Sequence, residues 1–196
     1  GALTALLLAL VATIYALLRP LPLVFGLRGL FPSTWWPKVD SISAAIATRI
    51  RGWVLGTVAL AIIIGALDYL ALWIINLLYE PDIPYIMTFA VIGGVLEIVP
   101  VVGPIIATVL PAIAGFSLDP MLGLFVILAF FIVQQLENHL IVPLVMHQAV
   151  NLHPVSLLFA LVVLSGLFGL FGAIIAVPVA AVFKVLYDEW YYPMMH

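Results

Sequence analysis

Long apolar runs that are almost free of charge constrain this chain more than any other feature of its sequence. Residues 53–78 contain one charged side chain, Asp68, and residues 154–187 contain only Lys184. Hydrophobic residues make up 66% of the 196 and charged residues 8%, whereas a soluble domain is about 45–50% apolar and about 25% charged. A spanning helix uses about 20 apolar residues, which leaves room for about five to seven membrane segments. The sequence therefore predicts an all-α, polytopic membrane protein.

Composition and motifs exclude several functional classes. A net charge of −3 provides no basic surface for a phosphate backbone, so we expect no nucleic-acid partner. The absence of cysteine excludes disulfides and thiolate sites. His139, His147 and His153 are eight and six residues apart, which matches no compact pair of metal ligands on a helix. Because the sequence also contains no P-loop, HExxH or GxSxG pattern, we predict no enzymatic activity, no cofactor and no metal site.

Basic residues are concentrated in one part of the chain. Five of the six lie within residues 19–52, which the positive-inside rule places in the cytoplasm. Inside that segment, residues 39–50 repeat apolar side chains at helical spacing and are predicted to form an amphipathic helix at the membrane interface. The acidic loop at residues 79–84 contains no basic residue and is predicted to be external, with the C-terminus cytoplasmic. Residues 1–196 are thus interpreted as a single transmembrane domain.

Two apolar stretches, residues 85–117 and 154–187, are interrupted by glycine and proline. The first is broken near a Gly-Pro pair at 103–104, and the second, too long for one span, is divided by three glycines. Each is predicted to form a hairpin of two half-helices, covered by protein or trapped water. The pattern Gly-x-Ile-Ile-Ala occurs at 103–107 and at 172–176, as an internal repeat or as a chance match between apolar segments. Interrupted helices in corresponding parts of a chain are typical of a transporter's substrate site.

Ionisable side chains within apolar segments cost about 2.5–3.5 kcal/mol at the bilayer centre, so each indicates a candidate functional site. Glu97 adjoins the first break and is predicted to carry a proton or a cation, unless the kink leaves it at a wet interface without a role. Asp68 is a secondary candidate, with a simple hydrogen bond between helices as the alternative. Gln134, Glu137 and Asn138 share one helix face through their i, i+3 and i+4 spacing and can line a polar surface.

Three stretches carry a family resemblance. Residues 94–104 read Gly-Val-Leu-Glu-Ile-Val-Pro-Val-Val-Gly-Pro, and residues 134–138 read Gln-Gln-Leu-Glu-Asn with Ile-Val-Pro at 141–143. Leu-His-Pro at 152–154 is followed by Phe-Gly-Leu-Phe-Gly-Ala at 168–173 and Ala-Val-Pro at 176–178. In order and spacing these stretches resemble the bacterial autoinducer-2 exporter family of transporters. The resemblance covers nearly the whole chain and is most specific in its middle and end.

The resemblance implies a multi-pass protein of the bacterial inner membrane that forms a homo-oligomer, a pentamer in some relatives. Its implied functions are export of the quorum-sensing furanone autoinducer-2 or sodium(lithium)/proton antiport. Two departures from the family pattern carry expectations of their own. This sequence shows neither the N-terminal membrane hairpin nor the longer intervening region that relatives typically carry, a pattern that fits a fragment of a longer protein. Glu97 also stands where many relatives have an uncharged residue such as Asn, which marks a change of coupling or of substrate.

These observations predict a transporter that exports a small polar solute such as autoinducer-2, coupled to a cation. The alternatives are a sodium(lithium)/proton antiporter and a non-transporting membrane scaffold subunit. The expected partners are the solute or ion, the lipid bilayer and further copies of the chain. The predicted transport path consists of helix-breaking residues and polar side chains, namely Glu97, Pro100, Gly103, Pro104, Gln134, Gln135, Glu137, Asn138, Gly169, Gly172 and Pro178.

Overall fold

The computed structural model describes residues 28–29, 31–99, 101–146 and 153–191, and within these ranges the chain forms helices and no strand. Three helical stretches are long and apolar enough to cross a membrane, and two shorter apolar helices lie between the first and the second. The prediction of an all-α, polytopic membrane protein with broken helices is confirmed. The helices are α1 (Trp36–Leu78), α2 (Ile86–Leu96), α3 (Val102–Leu118), α4 (Pro120–Leu136), α5 (Val142–Met146) and α6 (Pro154–Leu186).

Helix α1 is continuous over 43 residues. The structure thereby differs from the predicted separate interfacial helix, because residues 39–50 are the early turns of α1 and run without a break into its apolar part. Gly52, which lies between the two stretches, stays helical, since one glycine costs a helix only about 1 kcal/mol. At 1.5 Å per residue α1 is about 65 Å long, twice the hydrocarbon thickness of a bilayer, so part of it must extend beyond that layer.

Side-chain hydrogen bonds tie together the connections at one end of the bundle. The Asn76 amide donates to the Ile83 carbonyl and accepts from the Ile83 N–H, both at 2.9 Å, which closes the loop between α1 and α2. The Tyr79 hydroxyl donates to Asp119 at 3.0 Å, and this bond raises the pKa of Tyr79 and lowers the pKa of Asp119. Asp119 also caps α4 by accepting two backbone N–H groups of its first turn. Residues 79–85 and 118–120 therefore form one end of the bundle, called here the loop end.

Helices α2 and α3 form the first hairpin, which enters and leaves the bundle at the loop end. At its tip Val101 has a positive φ of 69°. Just beyond the tip, a Cβ on Gly103 would lie 2.0 Å from the Leu96 carbonyl oxygen at the end of α2. No side chain fits into that space, so glycine is required where the two arms meet.

Helix α6 is folded back on itself at Gly169, where φ is 60° and ψ is −139°, and forms the second hairpin. A Cβ on Gly172 would lie 1.8 Å from the Leu164 carbonyl oxygen. In a straight helix these two residues would be about 12 Å apart along the axis. The arms are residues 154–168 and 170–186. The side chain of His153 caps the first arm by accepting the Val155 N–H, and Pro154 is at its first position.

The second hairpin has its base at the end of the bundle opposite the loop end. Asp188, just after α6, contacts Lys184 at 2.6 Å and Arg49 of α1 at 3.8 Å. Arg49 precedes Tyr79 by 30 residues on the same helix, about 45 Å at 1.5 Å per residue. The two hairpins therefore point into the bundle from opposite ends.

The protein interior is built along one stripe of α1. Leu72 and Ile75 belong to an apolar cluster near the loop end, and Leu60 and Ile64 to a second cluster with residues of α4 and the turn that follows it. Beside the second cluster, small residues bring α1 and α2 into close contact, because a Cβ on Gly94 would lie 2.3 Å from the Ala61 carbonyl oxygen. This close packing holds the first hairpin against α1.

Candidate functional site

A cavity of about 580 Å³ lies where the two hairpins approach α1 and the end of α4. Its size is within the range of small-molecule sites, about 300–1,000 Å³. Four parts of the chain contribute to its wall, and both hairpins are among them. The lining residues are Trp53, Thr57, Leu60, Glu97, Ile98, Val101, Pro104, Ile105, Gln134, Glu137, Asn138, Val142, Leu157 and Val177.

Two carboxyl groups meet in the wall of this cavity. The side chains of Glu97 and Glu137 lie within hydrogen-bonding reach of each other. The Gln134 amide donates to Glu137 Oε2 at 2.5 Å, and Glu137 is 6% exposed. Two carboxyl groups this close form a hydrogen bond when one of them is protonated, and no basic side chain lines the cavity among the described residues. The pair is therefore suited to bind a proton or a small cation.

Local backbone geometry places these carboxyl groups. Glu97 ends α2, and its N–H donates to the Gly93 carbonyl at 3.2 Å, so its side chain leaves the helix at the break. Glu137 begins a π-helical turn, Glu137–Ile141, which continues α4 with wider spacing. Such turns are rare and frequently occur at functional sites, because the extra residue re-aims the side chains around it.

Five of the residues predicted for the transport path meet at the cavity: Glu97, Pro104, Gln134, Glu137 and Asn138. Gly103 lies immediately behind the wall, against the end of α2. Gln135 is exposed and does not line the cavity, because the residue after Gln134 is turned about 100° around the helix. Its carbonyl oxygen lies 2.9 Å from His139 Nδ1.

The remaining predicted path residues do not line the cavity. Gly169 is the turn of the second hairpin, with no described atom within 4 Å of a Cβ built on it. Gly172 is where the two arms of that hairpin cross, and Pro178 follows the lining residue Val177. Pro100 lies outside the described residues, as does His147.

Sequence reasoning missed the wall contributed by α1 and α6. Trp53, Thr57 and Leu60 share one face of α1 at i, i+4 and i+7, and Thr57 is the polar member. That threonine inside an apolar run was the available signal. Leu157 and Val177 carry no such signal, since apolar residues that face a cavity and those that face lipid look alike in a sequence.

Metal coordination by side chains alone does not fit this site. Within the described ranges, no group of three His, Asp or Glu side chains is close enough to hold one metal ion. A cation bound between Glu97 and Glu137 would therefore need further oxygen ligands from amides, backbone carbonyls or water. Neutral oxygens of this kind are supplied nearby by Gln134, Asn138 and Thr57.

Comparison with known proteins matches the chain to one protein family and to several relatives. The family model described as AI-2E family transporter matches residues 1–192. "Putative transport protein YrrI" of Bacillus subtilis (strain 168) is 26% identical over 157 residues, which are 80% of this chain and 43% of that protein. "Putative transport protein YueF" of the same organism is 35% identical over 105 residues, 54% of this chain and 28% of that protein.

A third relative, "Putative permease PerM" of Escherichia coli (strain K12), is 36% identical over 61 residues, 31% of this chain and 17% of that protein. In all three comparisons the matched segment spans less than half the length of the curated relative. No solved structure matches the chain significantly.

Proposed function

Because this chain belongs to the AI-2E family of transporters, we propose that it moves a small polar solute across a bacterial inner membrane through the cavity between its two hairpins. The single observation that carries this proposal is the position of that cavity. It lies between two broken helices that enter the bundle from opposite ends, and both contribute to its wall. Discontinuous helices that meet in this way are typical of substrate sites in secondary transporters.

The chemistry of the wall supports a hydroxylated solute such as autoinducer-2. Glu137, Gln134, Asn138 and Thr57 offer hydrogen-bond acceptors and donors to the cavity, while Trp53 and the aliphatic lining residues provide apolar surface. A small polyol or furanone presents both kinds of surface. Because two neighbouring carboxyl groups can take up a shared proton and release it, we propose that export is coupled to protons through Glu97 and Glu137.

Alternating access follows from the arrangement of the hairpins. Rocking of the first hairpin would open the cavity toward the loop end, and rocking of the second would open it toward the opposite end. We propose that the opposite end is cytoplasmic, since it contains Arg49, Arg51 and Lys184. We also propose a homo-oligomer, a pentamer by resemblance to the family.

The experiment that tests this function measures release of autoinducer-2 from liposomes containing the purified protein. Release is compared with and without an imposed proton gradient, and against protein-free liposomes. Protein-dependent release that grows with the gradient is the expected result. In Glu97→Gln, which removes one carboxyl group of the pair, gradient-driven release should fall at least tenfold. Glu80→Gln makes the same change in the exposed loop and should behave like wild type.

Sodium(lithium)/proton antiport is a second candidate function. The observation that favours it is a pair of neighbouring carboxyl groups, with no basic side chain beside it in the described wall. A cation and a proton would then compete for the same oxygens. In the same liposomes, addition of Na⁺ or Li⁺ should release protons, detected with a pH-sensitive dye. If neither solute release nor cation exchange depends on the protein, a scaffold role replaces both transport functions.

A further inference from the structure

Asp68 is a carboxyl group enclosed in protein outside the cavity. Its side chain is 2% exposed, and Oδ2 has no hydrogen-bond partner among the described residues. Along α1 it lies between Ile64 and Leu72, each of which belongs to a buried apolar cluster. Buried carboxylates in proteins normally have a counter-charge or several hydrogen bonds, and this oxygen has neither in the described part of the chain. This free oxygen is therefore available to bind a ligand of positive charge.

The first hairpin covers that oxygen with a glycine. A Cβ on Gly93 of α2 would lie 2.4 Å from Asp68 Oδ2, so the carboxyl group occupies the space that any larger residue would fill. Gly93 and Glu97 are four residues apart and share one face of α2, about 6 Å along its axis. The carboxyl group of Asp68 thus lies beside the same helix face that leads to the cavity pair.

The electrostatic surroundings of Asp68, within the described ranges, contain only carboxyl groups. Glu137 and Glu97 both act on it electrostatically. Helices α2, α3 and α4 contribute no other titratable side chain to this region. The titratable residue of α6, Lys184, contacts Asp188 at the opposite end of the bundle. Since no described cation faces Asp68, a proton is the ligand that this group fits best.

We propose that Asp68 is a second proton-binding site, outside the cavity, which exchanges a proton with the Glu97–Glu137 pair along the face of α2. The inference rests on the proposed proton-coupled transport and deepens it. In the exchange, the O–H bond on Asp68 Oδ2 breaks and an O–H bond forms on a carboxylate oxygen of the pair. The total charge of the three carboxyl groups stays constant in that step, and it changes only when the cavity takes up or releases a proton.

The contact between α1 and α2 explains how this proton can be coupled to movement. Next to Asp68 the two helices approach closely through the small residues Ala61, Gly65, Ala90 and Gly94. A displacement of α2 along α1 would move Gly93 away from Oδ2 and open Asp68 toward the cavity. Protonated Asp68 fits the dry, covered position, whereas ionised Asp68 requires the open one. The proton on Asp68 would therefore set the position of the first hairpin.

The first test observes the proton directly, by infrared difference spectroscopy of the purified protein while the pH is changed. The carbonyl band of protonated carboxylic acids should contain a component that is absent in Asp68→Asn. The matched control is Asp82→Asn, the same change at an exposed loop position, which should leave the band unchanged. A band that is identical in wild type and Asp68→Asn would overturn the proposal. This measurement requires no transport, so it decides on Asp68 even if autoinducer-2 is not the solute.

The second test measures coupling in liposomes. Asp68→Asn should retain release of the solute down its own gradient, while the stimulation by an imposed proton gradient falls at least tenfold. Stimulation equal to wild type would overturn the proposal. If Asp68→Asn does not fold, Gly93→Ala replaces it, since the added methyl group must displace the Asp68 carboxyl. That variant should shift the pH at which the Asp68 band is lost, and an unshifted band would again overturn the proposal.

Discussion

The two hairpins use the same device to bring two helical arms together. In the first, Gly103 lies against the carbonyl oxygen of Leu96, and in the second, Gly172 lies against that of Leu164. A Cβ added to either glycine would lie 2.0 or 1.8 Å, respectively, from that oxygen. These two glycines are the first residues of the Gly-x-Ile-Ile-Ala pattern that recurs in the sequence. Equal positions in two hairpins of opposite direction favour an internal repeat over a chance match.

The hairpins differ in what surrounds them. The first packs against α1 through α2 and against α4 through α3, and a carboxyl group, Glu97, ends its first arm. In the second, the first arm and the tip are exposed, and no described atom lies within 4 Å of a Cβ at Gly169, whereas the second arm buries Ala176 and Val185. One hairpin is therefore held by protein along both arms and carries the carboxyl group, while the other presents its first arm and its tip to lipid or to a further copy of the chain and carries no such group. The same close glycine crossing thus occurs in two hairpins with different surroundings.

The largest expected effect is an all-or-none difference in labelling. The sequence contains no cysteine, so Val101→Cys and Phe168→Cys each introduce a single thiol. In inverted vesicles, a membrane-impermeant maleimide should label Val101→Cys, because Val101 lines the cavity near the end proposed to be cytoplasmic. Phe168→Cys, on the exposed apolar tip of the second hairpin, should stay unlabelled from either side. Labelling of Phe168→Cys in either kind of vesicle would break the proposed difference between the hairpins.

The next effect concerns the crossing glycines. Gly103→Ala and Gly172→Ala each place a methyl group within 2.0 Å of a backbone oxygen, which forces the arms apart. Overpacking of this kind costs about 1–3 kcal/mol, so both variants should lower the midpoint of thermal unfolding in detergent. Both should also reduce release of the solute from liposomes.

Gly166→Ala is the matched control for this pair. It lies in the second hairpin, where a Cβ would meet no described atom within 4 Å, and alanine favours a helix over glycine by about 1 kcal/mol. Its unfolding midpoint should be equal to that of wild type or higher. If Gly172→Ala behaved like this control while Gly103→Ala was destabilised, the two crossings would not be equivalent.

The fold could be predicted from the sequence more completely than the site. Apolar runs and glycine-proline breaks correctly indicated an all-α membrane protein with two interrupted segments. The continuity of α1 was missed, because the basic residues around Gly52 mark a change of environment and not an end of the helix. Glu97 and Glu137 were found as candidates since charge is conspicuous among apolar residues, but their contact joins two helix ends that are 40 residues apart in the sequence, at the start of a π-helical turn. Nothing in the spacing of residues 137–141 indicates that turn.

The smallest expected effect concerns the backbone conformation at the tips of the two hairpins. Gly169 has φ 60° and ψ −139°, a region that glycine alone adopts readily, whereas Val101 occupies φ 69° with a branched side chain. Gly169→Ala should therefore cost about 1–3 kcal/mol, although no described atom lies near the added methyl group. Val101→Gly should be neutral or stabilise the protein by up to about 1 kcal/mol, since it removes a positive-φ penalty.

Thermal unfolding and solute release, measured together, show whether the strain at Val101 contributes to transport. A positive φ at a valine persists only where the surrounding structure enforces it, and Val101 lines the cavity beside Glu97. If Val101→Gly raises the unfolding midpoint and slows release, the strained tip contributes to the movement of the first hairpin. If it raises the midpoint and leaves release unchanged, the valine serves only to shape the wall. A lower unfolding midpoint would contradict a net destabilising strain at Val101. The packing energy lost with the side chain would then exceed the backbone strain that the substitution removes.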